Sequence, residues 1–295
     1  MSEAAHLTPN RPFEVSPLSG SFGGEVRGID LGHLSDTLFD AVYDALVEHQ
    51  VLVFRDQHLT PEQYLAFAKR WGGIHQHPFM KDLEGYPGIL EIVKTENDVK
   101  AFGNGWHSDQ MFVQKPAKCT MLYAKEVPER GGDTMFSNMY AAYDGLSEGM
   151  KGLVHELKGW NSGDRAKLRA RKNDVVRNSG TPSEMAERQP PSDMQTETAH
   201  PLVRMHKDSR RKALYLGGHT MKLDGFTNEE SAPILGYLKA HSAMPEYTCR
   251  VNWEVNSLTI WDNRCVQHYA VNDYQGMRRR MHRITIAGDE VPVSG

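Results

Sequence analysis

A histidine and an aspartate stand two positions apart in the aromatic-flanked segment NGWHSDQMF, residues 104–112. If this segment is extended, alternate side chains point to the same side, so His107 and Asp109 converge while Ser108 points away. An imidazole nitrogen and a carboxylate oxygen directed at one point can hold a metal ion. The ordinary alternative is a surface hydrogen bond between the two side chains, and a third ligand elsewhere in the chain decides between these interpretations.

A second histidine, His268, follows the apolar stretch SLTIW and a turn-like DNR. It lies far from Asp109 in sequence, so it reaches the same point only if the sheet closes on itself, as in a jelly roll. Two histidines and one carboxylate on one face of a metal form the facial triad of non-haem Fe(II) oxygenases, which leaves three coordination positions open. The alternative is a partly buried histidine that caps a strand.

Two arginines in RRRMHRITIAG, residues 278–288, add a requirement for anions. If this segment is a strand, Arg279 and Arg283 share one face, with Met281 between them. Two guanidinium groups in a small cavity repel each other and lose their hydration unless anions neutralise them. The pattern therefore indicates anionic ligands, and the alternative is that carboxylates of neighbouring strands pair with both arginines.

Composition and charge favour a small-molecule partner. The 295 residues include 39% hydrophobic and 24% charged residues, as in an ordinary globular protein. The 34 basic and 38 acidic residues are mixed along the chain and give a net charge of -4, so there is no general positive field to attract nucleic acid or an anionic membrane. The polar start has no apolar leader, and no stretch reaches the ~18 apolar residues of a membrane span. We therefore expect a cytoplasmic protein without nucleic-acid or membrane partners.

The three cysteines, Cys119, Cys249 and Cys265, are few, odd in number and widely separated. This fits reduced thiols in a reducing compartment better than a disulfide framework. Cys265 stands three positions before His268, and an odd separation on an extended segment sends two side chains to opposite faces. We therefore predict a packed thiol here and not a metal ligand.

Short strands separated by turn residues dominate the chain from about residue 88 onward, which favours a sandwich or jelly roll. We predict a mainly β fold, a double-stranded β-helix or jelly roll with flanking helices. The expected organisation is a flexible N-terminus at 1–12 and a single domain over 13–292, with a lid or mobile insertion at about 163–198. The predicted helices are 35–49, 60–72, 139–157 and 228–242, and the predicted strands are two within 13–31 and then 51–56, 88–94, 119–127, 133–138, 200–206, 212–218, 249–255, 257–263 and 278–288.

Four motifs in a fixed order carry a resemblance to a known family. They are WHSD, GGDTMF (131–136), WDNRCVQHYAVNDY and RRRMHRITIAGD. Together they closely resemble the TauD/TfdA-like Fe(II)- and 2-oxoglutarate-dependent dioxygenases, the family of taurine dioxygenase and 2,4-dichlorophenoxyacetate dioxygenase. The resemblance runs through nearly the whole chain, from GGEVRGIDL at 23–31 to AGDEVP at 287–292.

The resemblance implies a cofactor set and a reaction. Fe(II) is expected on the catalytic triad, with 2-oxoglutarate as co-substrate and O2 as oxidant. Thr134 matches the hydroxyl that binds the co-substrate, Arg279 matches the arginine that pairs with its distal carboxylate, and Arg283 matches the residue that holds the substrate's anionic group. The implied activity is hydroxylation, with or without subsequent cleavage, of a small anionic compound such as a sulfonate or an aryloxyalkanoate, with succinate and CO2 as products. The residues that match the iron ligands are His107, Asp109 and His268.

The substrate pocket is less defined by the sequence. HQHPFM (75–80) resembles the family segment that contributes a histidine to the substrate, which indicates His77. Asn104 and Gln110 flank the first two ligands and could line the same space. LYLGGHT (214–220) offers either His219 or Thr220 from a facing strand.

Two other classes remain open from the residues alone. A zinc hydrolase could use the same His/Asp/His set with a metal-bound water. A jelly roll without catalytic activity could bind anions through the arginines. Members of the family often form dimers or tetramers, so the resemblance also implies a homo-oligomer.

Overall fold

The chain forms sixteen strands and five α-helices in the part that the computed structural model describes, residues 11–77, 80–164, 182–185 and 194–295. The strands are β1 (Glu14–Pro17), β2 (Gly24–Arg27), β3 (Val51–Phe54), β4 (Ile74–His75), β5 (Leu90–Lys94), β6 (Cys119–Glu126), β7 (Thr134–Asn138), β8 (Lys158–Ser162), β9 (Glu197–Pro201), β10 (Val203–Met205), β11 (Lys212–Leu214), β12 (Thr220–Leu223), β13 (Thr248–Val251), β14 (Leu258–Asp262), β15 (Val266–Ala270) and β16 (Arg279–Ile286). The helices are α1 (Asp36–His49), α2 (Pro61–Lys69), α3 (Met139–Asp144), α4 (Glu148–His155) and α5 (Asn228–Ser242).

One large sheet and three smaller ones make up the β structure. The large sheet has the order β1, β2, β3, β14, β6, β16, β4, and β5 also pairs with β16. Its pairs are antiparallel except β2 with β3. The smaller sheets are β13-β7-β15, β12-β8-β9 and the hairpin β10-β11. The fold is the predicted mainly β jelly roll with flanking helices, although the sheets formed by the described residues do not close into a barrel.

Two apolar cores lie on opposite faces of the large sheet. The outer core joins that sheet to α1 and α2, and the inner core joins it to the smaller sheets. Strand β16 contributes to both, because Met281 lies in the inner core while Ile284 and Ile286 lie in the outer one. By the same alternation, Arg279 and Arg283 belong to the inner side of the sheet, as the strand pattern predicts.

The first two helices begin where their capping residues predict. Ser35 accepts a hydrogen bond from the backbone of Leu38 at the start of α1. Thr60 and Gln63 form a reciprocal capping box at the start of α2, with proline at the first helical position. Both helices direct their apolar face to the outer core, so they cover the side of the sheet that faces away from the candidate site.

Several predicted elements differ from those observed. The predicted helix 139–157 is two helices, because Ser147 leaves helical geometry and its hydroxyl caps α4 at Met150. The predicted strand 200–206 divides into β9 and β10 around Leu202. Four strands were not predicted: β4 has only two residues, and β8, β12 and β15 include polar residues that interrupt the apolar pattern.

The predicted flexible N-terminus and the predicted lid fall mostly outside the described residues, which omit 1–10, 165–181 and 186–193. The described residues of the lid segment are 163–164, 182–185 and 194–198, and the stretch 182–185 contacts the domain. Ser183 donates hydrogen bonds to Asp98, and Met185 packs in the inner core. The helices in the described part of the chain are too short or too polar to cross a lipid bilayer.

Buried His200 on β9 gives a prediction for stability. Its Nε2 lies 2.9 Å from the backbone oxygen of Val113, and burial lowers its pKa to about 4 from an ordinary 6.5. The unfolded chain takes up a proton near pH 6.5 that the folded protein excludes, so this contribution to stability is complete above pH 6.5 and is lost as the pH falls from 6.5 to 4. We expect the slope to be up to about 1.4 kcal/mol per pH unit.

Urea unfolding at pH 7, 6 and 5 measures this slope. His200→Gln keeps an amide donor but does not titrate, so its stability should change less with pH over this range. The exposed His155→Gln serves as the control and should retain the slope of the unchanged protein. Equal slopes in all three proteins would contradict the assignment to His200.

Candidate active site

The three predicted metal ligands lie together at the inner side of the sheets. Nε2 of His107 lies 3.7 Å from Oδ1 of Asp109, and Nε2 of His268 lies 3.8 Å from the same oxygen. One ligand atom from each residue lies within 4.8 Å of the others. Since metal bonds to nitrogen and oxygen are about 2.0 to 2.2 Å long, one ion can contact all three.

The backbone brings the two histidines together directly. His107 donates a backbone hydrogen bond to His268 at 3.1 Å, and His268 donates one back at 2.8 Å. The two residues thus form a short antiparallel bridge, with ring centroids 4.1 Å apart. His268 lies on β15 of a smaller sheet, so this bridge, and not closure of the large sheet, unites the ligands.

The segment that holds Asp109 is a turn and not the extended strand that the spacing suggested. The chain leaves the bridge at His107 and turns through Asp109 and Gln110, which has a φ of 55°. Ser108 does point away from the site, and its hydroxyl donates to the backbone oxygen of Val266 at 2.7 Å. The predicted convergence of His107 and Asp109 is present, but it arises from the turn.

A backbone contact fixes which nitrogen of His107 can bind a metal. Nδ1 of His107 lies 2.7 Å from the backbone oxygen of Gly105. A carbonyl oxygen only accepts, so Nδ1 carries the proton and Nε2 presents its lone pair to the site. This is the tautomer that a metal ligand requires.

A polar network orients the Asp109 carboxylate from behind. Thr120 donates to its Oδ2 at 2.6 Å, and Asn263 donates to the Thr120 hydroxyl at 2.9 Å. The amide oxygen of Asn263 accepts from the Asp109 backbone at 3.2 Å and from Trp261 at 3.1 Å. Oδ1 therefore faces the two histidines. Sequence reasoning missed Thr120 and Asn263, and the only signal was the position of Asn263 within the motif WDNR.

The charges of the site favour a carboxylate and neutral imidazoles. Burial raises the pKa of Asp109, but the charge of Arg283, followed by those of the two histidines, lowers it by more, so it lies well below its ordinary value. Burial lowers the pKa of His268 well below the ordinary value and also lowers that of His107, against the opposing charge of Asp109. An anionic oxygen and two neutral nitrogens suit a divalent cation.

Loss of the Thr120 hydroxyl should weaken the metal site without removing a ligand. Thr120→Val keeps the side-chain shape but leaves Oδ2 of Asp109 without its donor, and we expect Co(II) affinity to fall about 10- to 100-fold. Titration followed by the visible Co(II) spectrum measures this. Thr259→Val on the neighbouring strand is the control, because its buried hydroxyl has no hydrogen-bond partner among the described residues. Unchanged affinity in Thr120→Val would show that the network does not orient the ligand.

The two predicted anion-binding arginines are both buried beside the triad but have different surroundings. Arg283 forms an ion pair with Oδ1 of Asp109 at 2.6 Å and donates to Thr285 at 3.3 Å. Arg279 is only 6% exposed, and its Nε and Nη2 have no hydrogen-bond partner among the described residues. A buried guanidinium with two unpartnered nitrogens is costly, so this position fits a carboxylate that the described residues do not supply.

Thr134 lies at the same cavity as Arg279 and the histidines. Its hydroxyl accepts from the indole nitrogen of Trp253 at 3.1 Å, which orients it and leaves its own proton for a ligand. The rest of the cavity is largely apolar, and the triad is absent from a larger, open groove near Ile74 and Gly88. The other residues that line the cavity are Ile92, Phe102, Gly103, Leu122, Trp261, Ala270 and Arg283.

The remaining predicted substrate residues lie at different distances from this cavity. His77 packs edge-to-face on Phe102, which lines the cavity, at 5.8 Å between centroids. Asn104 is buried and donates to the backbone oxygen of Ala270 at 2.8 Å, so its amide holds the cavity wall. Gln110 forms the ligand turn and does not line the cavity.

Of the alternatives His219 and Thr220, the structure brings only His219 close to the ligands. Its ring lies 6.2 Å from that of His107 and 5.1 Å from that of Phe112. Thr220 is fully buried, where it donates to Asn161 at 2.8 Å and accepts from the backbone of Gly217 at 3.0 Å. Its hydroxyl therefore stabilises the β8 to β12 pair, and it does not line the cavity.

A second group of potential ligands, His206, Asp262 and Cys265, is fully buried elsewhere in the described part of the chain. Asp262 accepts from Arg264 through both oxygens and lies 3.0 Å from His206. The arginine neutralises the carboxylate, so this group is a closed ion-pair network. Cys265 is the packed thiol that the sequence predicts.

Comparisons with known proteins agree on one family. The family model described as "Taurine catabolism dioxygenase TauD, TfdA family" matches residues 14–285, from β1 to the last strand. An alpha-ketoglutarate-dependent sulfate ester dioxygenase of Pseudomonas putida is 35% identical and covers 99% of this chain and 96% of its own. An alkylsulfatase of Acinetobacter baylyi is 34% identical over 95% of this chain and 87% of its own. A solved taurine dioxygenase of Burkholderia xenovorans has a TM-score of 0.78 and 29% identity, with 96% and 93% coverage.

Proposed function

Because this chain belongs to the TauD, TfdA family and is a 2-oxoglutarate-dependent dioxygenase, we propose that it oxidises a small alkyl sulfate ester. Hydroxylation of the carbon that bears the ester oxygen gives an unstable hydroxy ester. This product breaks its carbon–oxygen bond to sulfate, so an aldehyde and hydrogen sulfate are released. Sulfonates and aryloxyalkanoates, which the sequence suggested, are the alternative anionic substrates.

The residues present fit the Fe(II) ion and the co-substrate. His107, Asp109 and His268 would hold Fe(II), which together with O2 and 2-oxoglutarate supplies the oxidant and yields succinate and CO2. The observation that carries the co-substrate assignment is the buried guanidinium of Arg279 in the same cavity, two of whose nitrogens have no hydrogen-bond partner among the described residues. In this assignment Arg279 binds the distal carboxylate of 2-oxoglutarate, and the Thr134 hydroxyl donates to it. A zinc hydrolase has no use for these two groups.

The apolar lining of the cavity supports an organic anion with a hydrocarbon chain. Ile92, Phe102 and Leu122 would contact the chain, since these side chains exclude water from the carbon to be oxidised. We assign Arg283 to the sulfate group. Its guanidinium pairs with Asp109 and so lies beside the metal ligands, which supports this assignment.

The remaining pocket residues keep separate assignments. His77 is assigned to the substrate through its position behind Phe102. Asn104, Gln110 and Thr220 stay predictions. The contact of Asn104 supports a role in the cavity wall, while those of Gln110 and Thr220 support roles in the ligand turn and in the β8 to β12 pair. Of His219 and Thr220, His219 is the better candidate for contact with the substrate. Its Nδ1 donates to the backbone oxygen of Ser162, so its Nε2 would accept a hydrogen bond from the substrate.

A three-substrate comparison tests the proposal. Purified protein with Fe(II) and 2-oxoglutarate is given hexyl sulfate, hexanesulfonate or 2,4-dichlorophenoxyacetate, and O2 uptake, succinate and free sulfate are measured. We expect hexyl sulfate to stimulate O2 uptake, with one succinate and one sulfate per O2. If only hexanesulfonate or 2,4-dichlorophenoxyacetate is turned over, the proposed substrate is wrong, but the 2-oxoglutarate-dependent reaction class stands. Sulfate release without O2 consumption would instead indicate a hydrolase.

We further propose a cytoplasmic homo-oligomer, a dimer or tetramer, without nucleic-acid or membrane partners, and a single domain over 13–292. The mixed charges and the three free, buried cysteines support a reducing compartment and small-molecule partners. Light scattering after size exclusion measures the oligomeric state, and a monomer at micromolar concentration would contradict this part of the proposal.

A further inference from the structure

Lys94, the last residue of β5, is a buried lysine opposite Arg279. The two residues are direct partners in the antiparallel pair of β5 with β16, and Lys94 is 2% exposed. Directly opposite residues on antiparallel strands point to the same face of the sheet, and like charges in that arrangement repel each other. Two buried basic residues thus extend from neighbouring positions on the inner face of the sheet.

Neither charge is neutralised by direct contact within the described residues. The ammonium of Lys94 and two nitrogens of Arg279 have no hydrogen-bond partner there, and no described carboxylate lies within 4.0 Å of either. Asp98 and Glu96 attract Lys94, and Asp133 attracts Arg279, only from longer distances. The oxygens of Asp98 accept hydrogen bonds from Thr95 and Ser183. The arrangement is unfavourable for the protein alone and favourable for a bound anion.

Tyr274 connects the two cations. The Lys94 ammonium lies 4.5 Å from the centroid of the Tyr274 ring, a cation–π distance, and Tyr274 is itself buried. The Tyr274 side chain also interacts with the guanidinium of Arg279. The three side chains therefore form a row in which Tyr274 lies between Lys94 and Arg279. Of the three, only Arg279 lines the cavity.

We propose that Lys94 and Tyr274 are positioning residues for the distal carboxylate of the co-substrate, which rests on the proposed function. Tyr274 holds the guanidinium of Arg279 in place, and Lys94 holds the ring and adds a second positive charge behind it. In a water-poor interior this charge acts over several ångströms, so it favours a dianionic 2-oxo acid over one without the second carboxylate.

The test compares 2-oxoglutarate with 2-oxovalerate, which has the same carbon chain but no distal carboxylate. Dissociation constants are measured anaerobically with Fe(II) from the visible charge-transfer band. For Lys94→Met we expect about tenfold weaker binding of 2-oxoglutarate and no change for 2-oxovalerate. Tyr274→Phe should show a smaller loss with the same selectivity, and Lys94→Arg should restore most of the affinity.

Lys125→Met is the matched control, because Lys125 also lies 4.5 Å from a tyrosine ring, but the ring is that of Tyr123 and the strand partner of Arg279 is Lys94. It should leave both dissociation constants unchanged. The melting temperature of the Fe(II)-free protein gives a second readout. Lys94→Met removes an unpaired buried charge, so it should melt no lower than the unchanged protein.

The outcomes separate the two proposals. If the unchanged protein binds 2-oxoglutarate and Lys94→Met weakens both 2-oxo acids equally, or melts lower, Lys94 has only a structural role and the inference is wrong. Equal binding of 2-oxoglutarate by both proteins overturns it as well. If the unchanged protein binds neither 2-oxo acid, the proposed function itself fails.

Discussion

Replacement of Asp109 by asparagine is expected to abolish turnover and to weaken Fe(II) binding by at least about 100-fold. The amide has nearly the same shape, so Thr120 can still contact it, but the anionic oxygen between the two histidines is lost. The change also leaves the guanidinium of Arg283 buried without its partner at 2.6 Å. Since breaking one side of a buried ion pair costs about 3 to 5 kcal/mol, the metal-free protein should also be less stable.

Three measurements check this expectation: Fe(II) titration, O2 uptake with substrate, and urea unfolding of the metal-free protein. The control is Asp56→Asn, which changes an exposed carboxylate that does not line the cavity and should affect none of them. Retention of substrate-dependent O2 uptake by Asp109→Asn would rule out Asp109 as a required ligand. A loss of metal binding without a loss of stability would show that Arg283 finds another partner.

Replacement of Arg279 by alanine should weaken 2-oxoglutarate binding by about 100- to 1000-fold, while Fe(II) binding is retained. A bidentate pair of guanidinium and carboxylate consists of two charge-assisted hydrogen bonds, each about 1.5 to 3 kcal/mol in a buried site. The effect should be large because the other side-chain donors in the cavity do not replace Arg279. The Thr134 hydroxyl is neutral, and Arg283 is paired with Asp109.

The neighbouring Arg278→Ala is the matched control for this prediction. Arg278 points to the opposite side of β16, where it pairs with Glu184 at 2.7 Å near the surface. Its removal should leave the charge-transfer band and the affinity for 2-oxoglutarate unchanged. Arg279→Lys should restore part of the affinity, because it keeps the charge but loses the planar fork. Similar losses in Arg278→Ala and Arg279→Ala would falsify the assignment of the distal carboxylate to Arg279.

Local patterns predicted the parts of this fold that depend on neighbouring residues. Ser35 and Thr60 mark the helix starts because capping acts within one turn of the chain. The alternation along β16 predicted that Arg279 and Arg283 share a face with Met281 between them, and the side of the sheet on which they lie agrees. The strands that escaped prediction are those in which burial and polarity do not alternate, such as β15.

Contacts between distant strands are the part of the site that the sequence could not provide. Thr120 reaches Asp109 because β6 pairs with β14 in one register, and a shift of one residue would turn its hydroxyl to the other face. Lys94 likewise becomes significant only through its pairing with Arg279. Thr220 shows the opposite case. The sequence offered it as a substrate residue, but its hydroxyl donates to Asn161 on the adjacent strand.

The bridge between His107 and His268 has a consequence for how a metal enters and leaves the protein. The distance between the two imidazoles of this chelate is set by two main-chain hydrogen bonds, of 3.1 and 2.8 Å, and not by the metal. Most of the ordering that a chelate demands is therefore complete before an ion arrives. Side-chain substitutions around the site can alter how strongly it holds an ion, but the spacing of its two imidazoles changes only if the backbone itself is rebuilt.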